Sequence, residues 1–197
     1  WLLPIEGQID TVQAMTAMTA AATKLGVTWH WNESVTSLQQ GAIKTAKQDF
    51  KFDWVFDVRG TGARPDLSVR GVRGEIFWLH APSVELQRPI RLLHPRHRVY
   101  LVPRSGNRIV VGASEIESED RSPISLRSTV ELLAAAHSVI PELAEARIIH
   151  SETNLRPALP DNLPLMEISD GITRINGLFR HGWLIAPALT EDALQAL

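Results

Sequence analysis

The stretch from Arg98 to Ser114, RVYLVPRSGNRIVVGAS, decides what kind of fold this chain can form. Two runs of strand length, Arg98–Val102 and Ile109–Ser114, enclose a connection that contains proline, glycine and asparagine. Those residues adopt the backbone angles of tight turns, so the stretch predicts a hairpin. Alternation along the first strand places Tyr100, the only tyrosine in the chain, on the same face as Arg98 and Val102.

Further strands and one helix surround this hairpin in the sequence. Gly74–His80 and Arg88–Leu93 are strand-length runs before it, and Arg147–Leu155 is another run after it, ending at Arg156-Pro157. We predict a mainly antiparallel sheet from about Val72 to Leu155.

Leu126–Val139 has helical spacing, with Ser125 as a cap and Pro141 just beyond its end. We expect this helix to pack near the sheet. Its predicted buried stripe consists of Val130, Leu133, Ala134 and His137.

The first third of the chain has a different pattern. Asp10 is placed to cap a helix that ends at Gly26, and Val27–Trp31 is predicted to be a strand directly after it. The remaining predicted elements of this part are a hairpin of Val35–Leu38 with Ala42–Thr45 and a buried strand, Asp53–Val58.

The end of the chain completes the order of elements. Gly171–Asn176 is predicted to be a short strand, Phe179–Gly182 a turn, and Trp183–Leu197 partly helical. The whole order indicates a mixed α/β or α+β fold: a partial nucleotide-binding layer plus a mainly antiparallel sheet domain with a packed helix. The corresponding predicted domains are residues 1–71, 72–155 and 156–197, with the last returning to the first layer.

Composition excludes several classes of function. The 197 residues carry a formal net charge of −2 and no cysteine, which excludes disulfides, thiolate nucleophiles and Cys-containing zinc sites. The near-neutral charge argues against nucleic-acid binding, and no apolar run is long enough to span a membrane. We expect a cytoplasmic location.

The common cofactor and metal motifs are incomplete or absent. Gly60-x-Gly62 follows a predicted strand, as a phosphate-binding turn would, but a dinucleotide fingerprint needs a third glycine where Pro65 stands. From the residues alone, a plain tight turn is the favoured interpretation. His94 and His97 lie among arginines, which disfavours a metal ion, and we predict no metal site.

Three residues could bind a carboxylate. Arg156 ends a strand, Arg180 lies in the Phe-Arg-His-Gly turn, and Tyr100 lies in the central hairpin. An arginine clamps a carboxylate with two hydrogen bonds, and a tyrosine hydroxyl can add a neutral one. For each residue alone, a surface ion pair or a packed ring is the more frequent role, and the sequence does not show that the three converge.

Six motifs in matching order resemble the flavin-dependent D-amino acid oxidase superfamily, in particular its glycine oxidase branch. The resemblance covers nearly all 197 residues. The matching motifs are Arg73–Glu75, Arg88–His94, Val99–Arg104, Ile109–Glu115, Asn154–Asp161 and Asn176–Pro187.

The resemblance implies roles for particular residues. Arg156 would hold the substrate carboxylate, Tyr100 would line the site, and Arg180 would lie beside substrate and flavin. The implied contacts with FAD are made by Gly60, Gly62, His181, Gly182 and Ala186. The family's Gly-x-Gly-x-x-Gly turn has no counterpart in this sequence, so we expect a C-terminal portion of such a protein that does not hold FAD tightly by itself.

The resemblance also implies a reaction. We expect oxidation of glycine or a small D-amino acid to an imine, with oxygen reduced to hydrogen peroxide. The alternatives are a D-amino acid dehydrogenase portion and an inactive substrate-binding or interaction module. The expected partners are a small amino acid and oxygen, together with a second copy of the chain or a missing N-terminal segment.

Overall fold

A computed structural model describes residues 1–94 and 98–197 of the chain. His97, part of the sequence argument against a metal site, lies outside the described residues. The described residues divide into two compact units. Unit 1 comprises Trp1–Thr28, Gly74–Ile116 and Asp120–Asn154, and unit 2 comprises Trp29–Arg73, Glu117–Glu119 and Leu155–Leu197. The chain passes between the units close to the predicted boundaries at 71 and 155, whereas residues 1–28 group with unit 1.

A five-stranded sheet occurs in the order β6-β7-β8-β5-β9. Its strands are β5 (Arg70–His80), β6 (Ile90–Arg91), β7 (Tyr100–Arg104), β8 (Arg108–Gly112) and β9 (Arg147–Ala158). The pairs β6/β7, β7/β8 and β5/β8 are all antiparallel, which confirms the predicted sheet type. β9 differs from the prediction because it continues through Arg156 and Pro157 instead of ending there.

Helix α2 (Leu126–Val139) covers one face of this sheet and confirms the predicted bounds. The Ser125 hydroxyl accepts a hydrogen bond from the backbone N–H of Ser128 at 3.1 Å, so the helix starts at the predicted cap. The predicted buried stripe was wrong: Val130, Ala134 and His137 are exposed and Leu133 is only half-buried. The buried residues are Ser128, Leu132, Ala135 and Ala136.

Helix α1 (Thr11–Lys24) starts at the predicted residue, because the Asp10 carboxylate accepts a hydrogen bond from the backbone N–H of Gln13. Gly26 follows it with φ of +91°, as expected just beyond a helix end. No residue of α1 is buried. Residues 27–31 form no strand, contrary to the prediction.

Unit 2 contains two three-stranded sheets. One is the predicted hairpin, β1 (Val35–Gln39) with β2 (Ala42–Thr45), extended by β3 (Asp49–Lys51). The other has the order β10-β11-β4, from β10 (Leu165–Ser169), β11 (Ile172–Asn176) and β4 (Val55–Asp57).

β11 pairs antiparallel with β10 and parallel with β4. Helix α3 (Gly182–Gln195) ends the chain and confirms the predicted helical end. None of the three helices in the described part of the chain is long and apolar enough to cross a membrane.

Candidate functional site

Tyr100 lies on the sheet face of unit 1 that is turned away from helix α2. Phe77, Leu101 and Val111, which alternate with the residues of that face, belong to the core that α2 covers. Tyr100 itself is half-buried, as a residue on a partly open sheet face is expected to be.

Gly112 and Ile76 are the neighbours of the Tyr100 ring on the adjacent strands. Tyr100 of β7 is directly opposite Gly112 of β8, and Gly112 is in turn opposite Ile76 of β5. A methyl group built on Gly112 would lie 2.6 Å from both Cζ and the hydroxyl oxygen of Tyr100. The hydroxyl end of the Tyr100 ring therefore occupies the space where a side chain at position 112 would lie.

In unit 2, an ion pair between Asp57 and Arg59 lies between the end of β4 and the start of the predicted cofactor turn. The Asp57 carboxylate is buried and accepts hydrogen bonds from Nε and Nη2 of Arg59, both at 2.8 Å. Arg59 Nη2 also bonds to Asp66 at 2.9 Å. The side-chain hydrogen bond from Arg59 lowers the pKa of Asp57 and raises that of Arg59. This ion pair fixes the start of the 3-10 turn Gly60–Ala63.

Gly60 then joins three segments of unit 2. Its φ is +56°, in the left-handed region that favours glycine. Its carbonyl accepts a hydrogen bond from the side-chain amide of Asn176 at 3.0 Å, and its α-carbon faces the ring of Pro157. The end of β11, the end of β9 and the predicted cofactor turn are thus neighbours.

The Phe179–Gly182 turn also lies next to Pro157, near Gly60 and Asn176. The backbone N–H of Phe179 donates to the carbonyl of Pro157 at 3.1 Å, and Phe179 has a φ of +48°. Immediately before Pro157, half-buried Arg156 extends from β9, and its Nη1 is 3.4 Å from the carbonyl oxygen of Arg73. The predicted carboxylate ligand and the predicted flavin-contacting turn are therefore adjacent in unit 2.

Helix α3 begins within this turn at a position suited to a bound cofactor. His181 is the N-cap residue of α3, and its side chain makes no capping hydrogen bond. The first turn of the helix contains no acidic residue. A methyl group built on Gly182 would meet nothing within 4 Å. A helix start presents backbone N–H groups that can donate hydrogen bonds to an electron-rich group.

The predicted site residues are distributed over both units. Those in unit 2 are Arg156, Arg180, Gly60, Gly62, His181, Gly182 and Ala186, whereas Tyr100 is in unit 1. Arg180 is exposed, and Ala186 lies in the second turn of α3. The roles of these residues stay predictions.

Sequence reasoning missed Asp57, Arg59 and Asn176. The Asp-x-Arg-Gly order at the end of a buried strand was a usable signal for the first two, because opposite charges two residues apart can pair. Asn176 carried no such signal, since its contact with Gly60 spans 116 residues. Among the described residues, no group of acidic residues and histidines could hold a metal ion.

Comparison with known proteins now identifies the family. The model of the FAD dependent oxidoreductase family (DAO) matches residues 1–193. The chain belongs to the FAD-dependent oxidoreductase family. It is 40% identical to a putative thiamine biosynthesis oxidoreductase ThiO of Rhizobium etli, over 98% of this chain and 56% of that protein.

A second relative of the chain is the glycine oxidase of Geobacillus kaustophilus, 26% identical over 94% of the chain and 52% of that protein. The crystal structure of that glycine oxidase matches with a TM-score of 0.84, over 95% of this chain and 54% of that one. The chain thus spans about half the length of these relatives. The family match confirms the resemblance inferred from the six motifs. The structural match confirms the predicted mixed helix and sheet fold.

Proposed function

We propose that this chain provides the substrate-binding sheet and flavin-facing turns of an enzyme that oxidises glycine or a small D-amino acid to an imine. The observation that carries the proposal is the adjacency of Arg156 to the Gly60 and Phe179–Gly182 turns in unit 2. Family membership supports FAD as the cofactor. The glycine oxidase and ThiO relatives support an amino acid as the substrate.

The proposed chemistry follows from the side chains. A bound flavin would supply the acceptor for a hydride from the substrate α-carbon, and oxygen with a proton from water would take up the electron pair as hydrogen peroxide. Arg156 binds the carboxylate with its planar guanidinium, which holds the substrate in one orientation. Within the same unit, Arg180 contributes a second positive charge. The neutral hydrogen bond predicted from Tyr100 of unit 1 to the substrate is a separate part of the proposal.

No side chain needs to act as a base in this scheme. Loss of hydride from a neutral amine leaves the protonated imine, which water hydrolyses to an oxo acid and ammonium. The protein's contribution is therefore orientation of the α-carbon and stabilisation of the bound anion.

The test is to supply glycine and a series of small D-amino acids under air to the purified protein in buffer that contains excess FAD. Stoichiometric peroxide and ammonium from glycine would support the oxidase. Reduction of a quinone without peroxide would identify the dehydrogenase alternative. Glycine binding without any turnover would identify an inactive binding module. A cytoplasmic location and self-association stay predictions, for which cell fractionation and sedimentation are the direct tests.

A further inference from the structure

Gly112 is a buried strand residue whose lack of a side chain has a specific structural consequence. An added β-carbon would lie 2.6 Å from two atoms of Tyr100 and 2.8 Å from Cγ2 of Ile76. Real β-carbons essentially never approach other atoms this closely, so one of these side chains would have to move. Tyr100 and Ile76 are the direct cross-strand partners of Gly112 on its two sides.

The close contacts at Gly112, and not a left-handed backbone, set this glycine apart. Gly112 is absent from the positions with positive φ, which include Gly60, Gly106 and Gly171. A strand glycine normally weakens a sheet, and an aromatic ring lying across it on the neighbouring strand restores some of the lost packing. Tyr100 is in this arrangement, with its hydroxyl oxygen over the backbone of β8.

We propose that Gly112 is a positioning residue for Tyr100, setting where the phenol hydroxyl is presented on the open face of the sheet. This inference rests on the part of the proposed function in which the Tyr100 hydroxyl contacts the substrate. A methyl group at position 112 would collide with Cζ and the hydroxyl oxygen of Tyr100 and displace the hydroxyl. Because hydrogen bonds weaken steeply with distance and angle, the contact of Tyr100 with the substrate would be weakened.

The first experiment observes the ring directly. Tyr100 is the only tyrosine in the 197 residues, so incorporation of 3-fluorotyrosine gives a single fluorine resonance by NMR. We expect Gly112→Ala to shift this resonance in the absence of any ligand. The matched control is Gly7→Ala, because Gly7 has no atom within 4 Å of its added methyl group and no positive φ. An unshifted resonance in Gly112→Ala would overturn the inference.

The second experiment links the ring to the substrate. Glycine is titrated into the protein with FAD in excess and without oxygen, and its dissociation constant is measured for the wild type, Gly112→Ala, Tyr100→Phe and the double variant. Loss of one neutral hydrogen bond predicts affinity about 2- to 12-fold weaker in each single variant. The double variant should be no weaker than Tyr100→Phe, because both changes remove the same contact.

The outcomes separate this inference from the proposed function. Multiplied losses in the double variant, or unchanged affinity in Gly112→Ala, would show that Gly112 does not act through Tyr100. Wild-type protein that neither binds nor oxidises glycine would instead overturn the proposed function, and the inference with it.

A second variant covers the case in which Gly112→Ala does not fold. Combining it with Tyr100→Leu removes the ring atoms that the new methyl group meets. Recovery of folding, measured by circular dichroism, would show that the ring is the obstacle and would support the inference. Failure to recover would place the obstacle elsewhere and overturn it.

Discussion

Arg156 lies where β9 meets the Phe179–Gly182 turn, and its proposed role makes it the most sensitive single position. We expect Arg156→Ala to weaken glycine binding by about 2–5 kcal/mol, the usual effect of truncating one partner of a buried charge pair. The measurement is the Michaelis constant for glycine. Arg147→Ala is the matched control, because Arg147 is on the same strand but its side chain is 72% exposed. Equal Michaelis constants for the two variants would contradict the assignment of Arg156.

Asp57 is the second residue with a large expected effect, because its carboxylate is fully buried against Arg59. We expect Asp57→Asn to lower the free energy of unfolding by about 1.5–3 kcal/mol, since it replaces two charge-assisted hydrogen bonds and leaves Arg59 paired only with Asp66. Urea unfolding at neutral pH measures this. Glu117→Gln is the control, because the Glu117 side chain in the Arg70 ion pair is 66% exposed. A smaller loss for Asp57→Asn than for Glu117→Gln would contradict the expectation.

The same residue gives a dependence on pH with a defined sign. Hydrogen bonding to Arg59 holds the pKa of Asp57 below its usual value of 3.8 in the folded protein. The stabilisation of the folded protein by the Asp57 carboxylate is therefore complete above pH 3.8, and it is lost as pH falls through the pKa of Asp57 in the folded protein. Asp57→Asn should remove this part of the acid sensitivity, so its stability should fall less than that of the wild type between about pH 6 and about pH 3.

At the scale of elements, helix α2 offers a direct test of which side chains support the sheet. Leu132 is 5% exposed within the core, whereas Val130, two residues earlier, is 58% exposed. We expect Leu132→Ala to cost about 2–5 kcal/mol through lost contacts and a cavity. Val130→Ala should stay within about 0.5 kcal/mol of the wild type. Thermal or urea unfolding compares them, and the reverse order would mean that α2 packs through its other face.

At the scale of the whole molecule, the expected weakness of FAD binding is open to experiment. The 197-residue sequence contains no Gly-x-Gly-x-x-Gly turn, and such a turn normally holds a dinucleotide pyrophosphate at a helix N-terminus. We expect this chain, expressed alone with FAD, to lose the cofactor on desalting. The visible absorption spectrum of the desalted protein is the measurement. A stoichiometric flavin band would contradict this and would mean that another segment or a second copy supplies the phosphate site.

The sequence by itself determined the elements whose causes are local. Ser125 and Asp10 start their helices at the predicted positions, because a cap needs only a side-chain oxygen and an N–H three residues later. The β7/β8 hairpin and the β1/β2 hairpin likewise depend on their own turn residues. The six collinear motifs also identified the family, because their order and spacing are properties of the chain alone.

Only the tertiary structure decided features that need a distant partner. Val27–Trp31 has the composition of a strand, but a strand forms only where another strand supplies hydrogen bonds, and none does so for these residues in the structure. The buried side of α2 depends on where the sheet lies, which is why the predicted stripe was displaced. The contact of Asn176 with Gly60 and the position of the Tyr100 ring over Gly112 arise from the folded pairing of strands, because no local pattern in the sequence encodes which distant residues become neighbours.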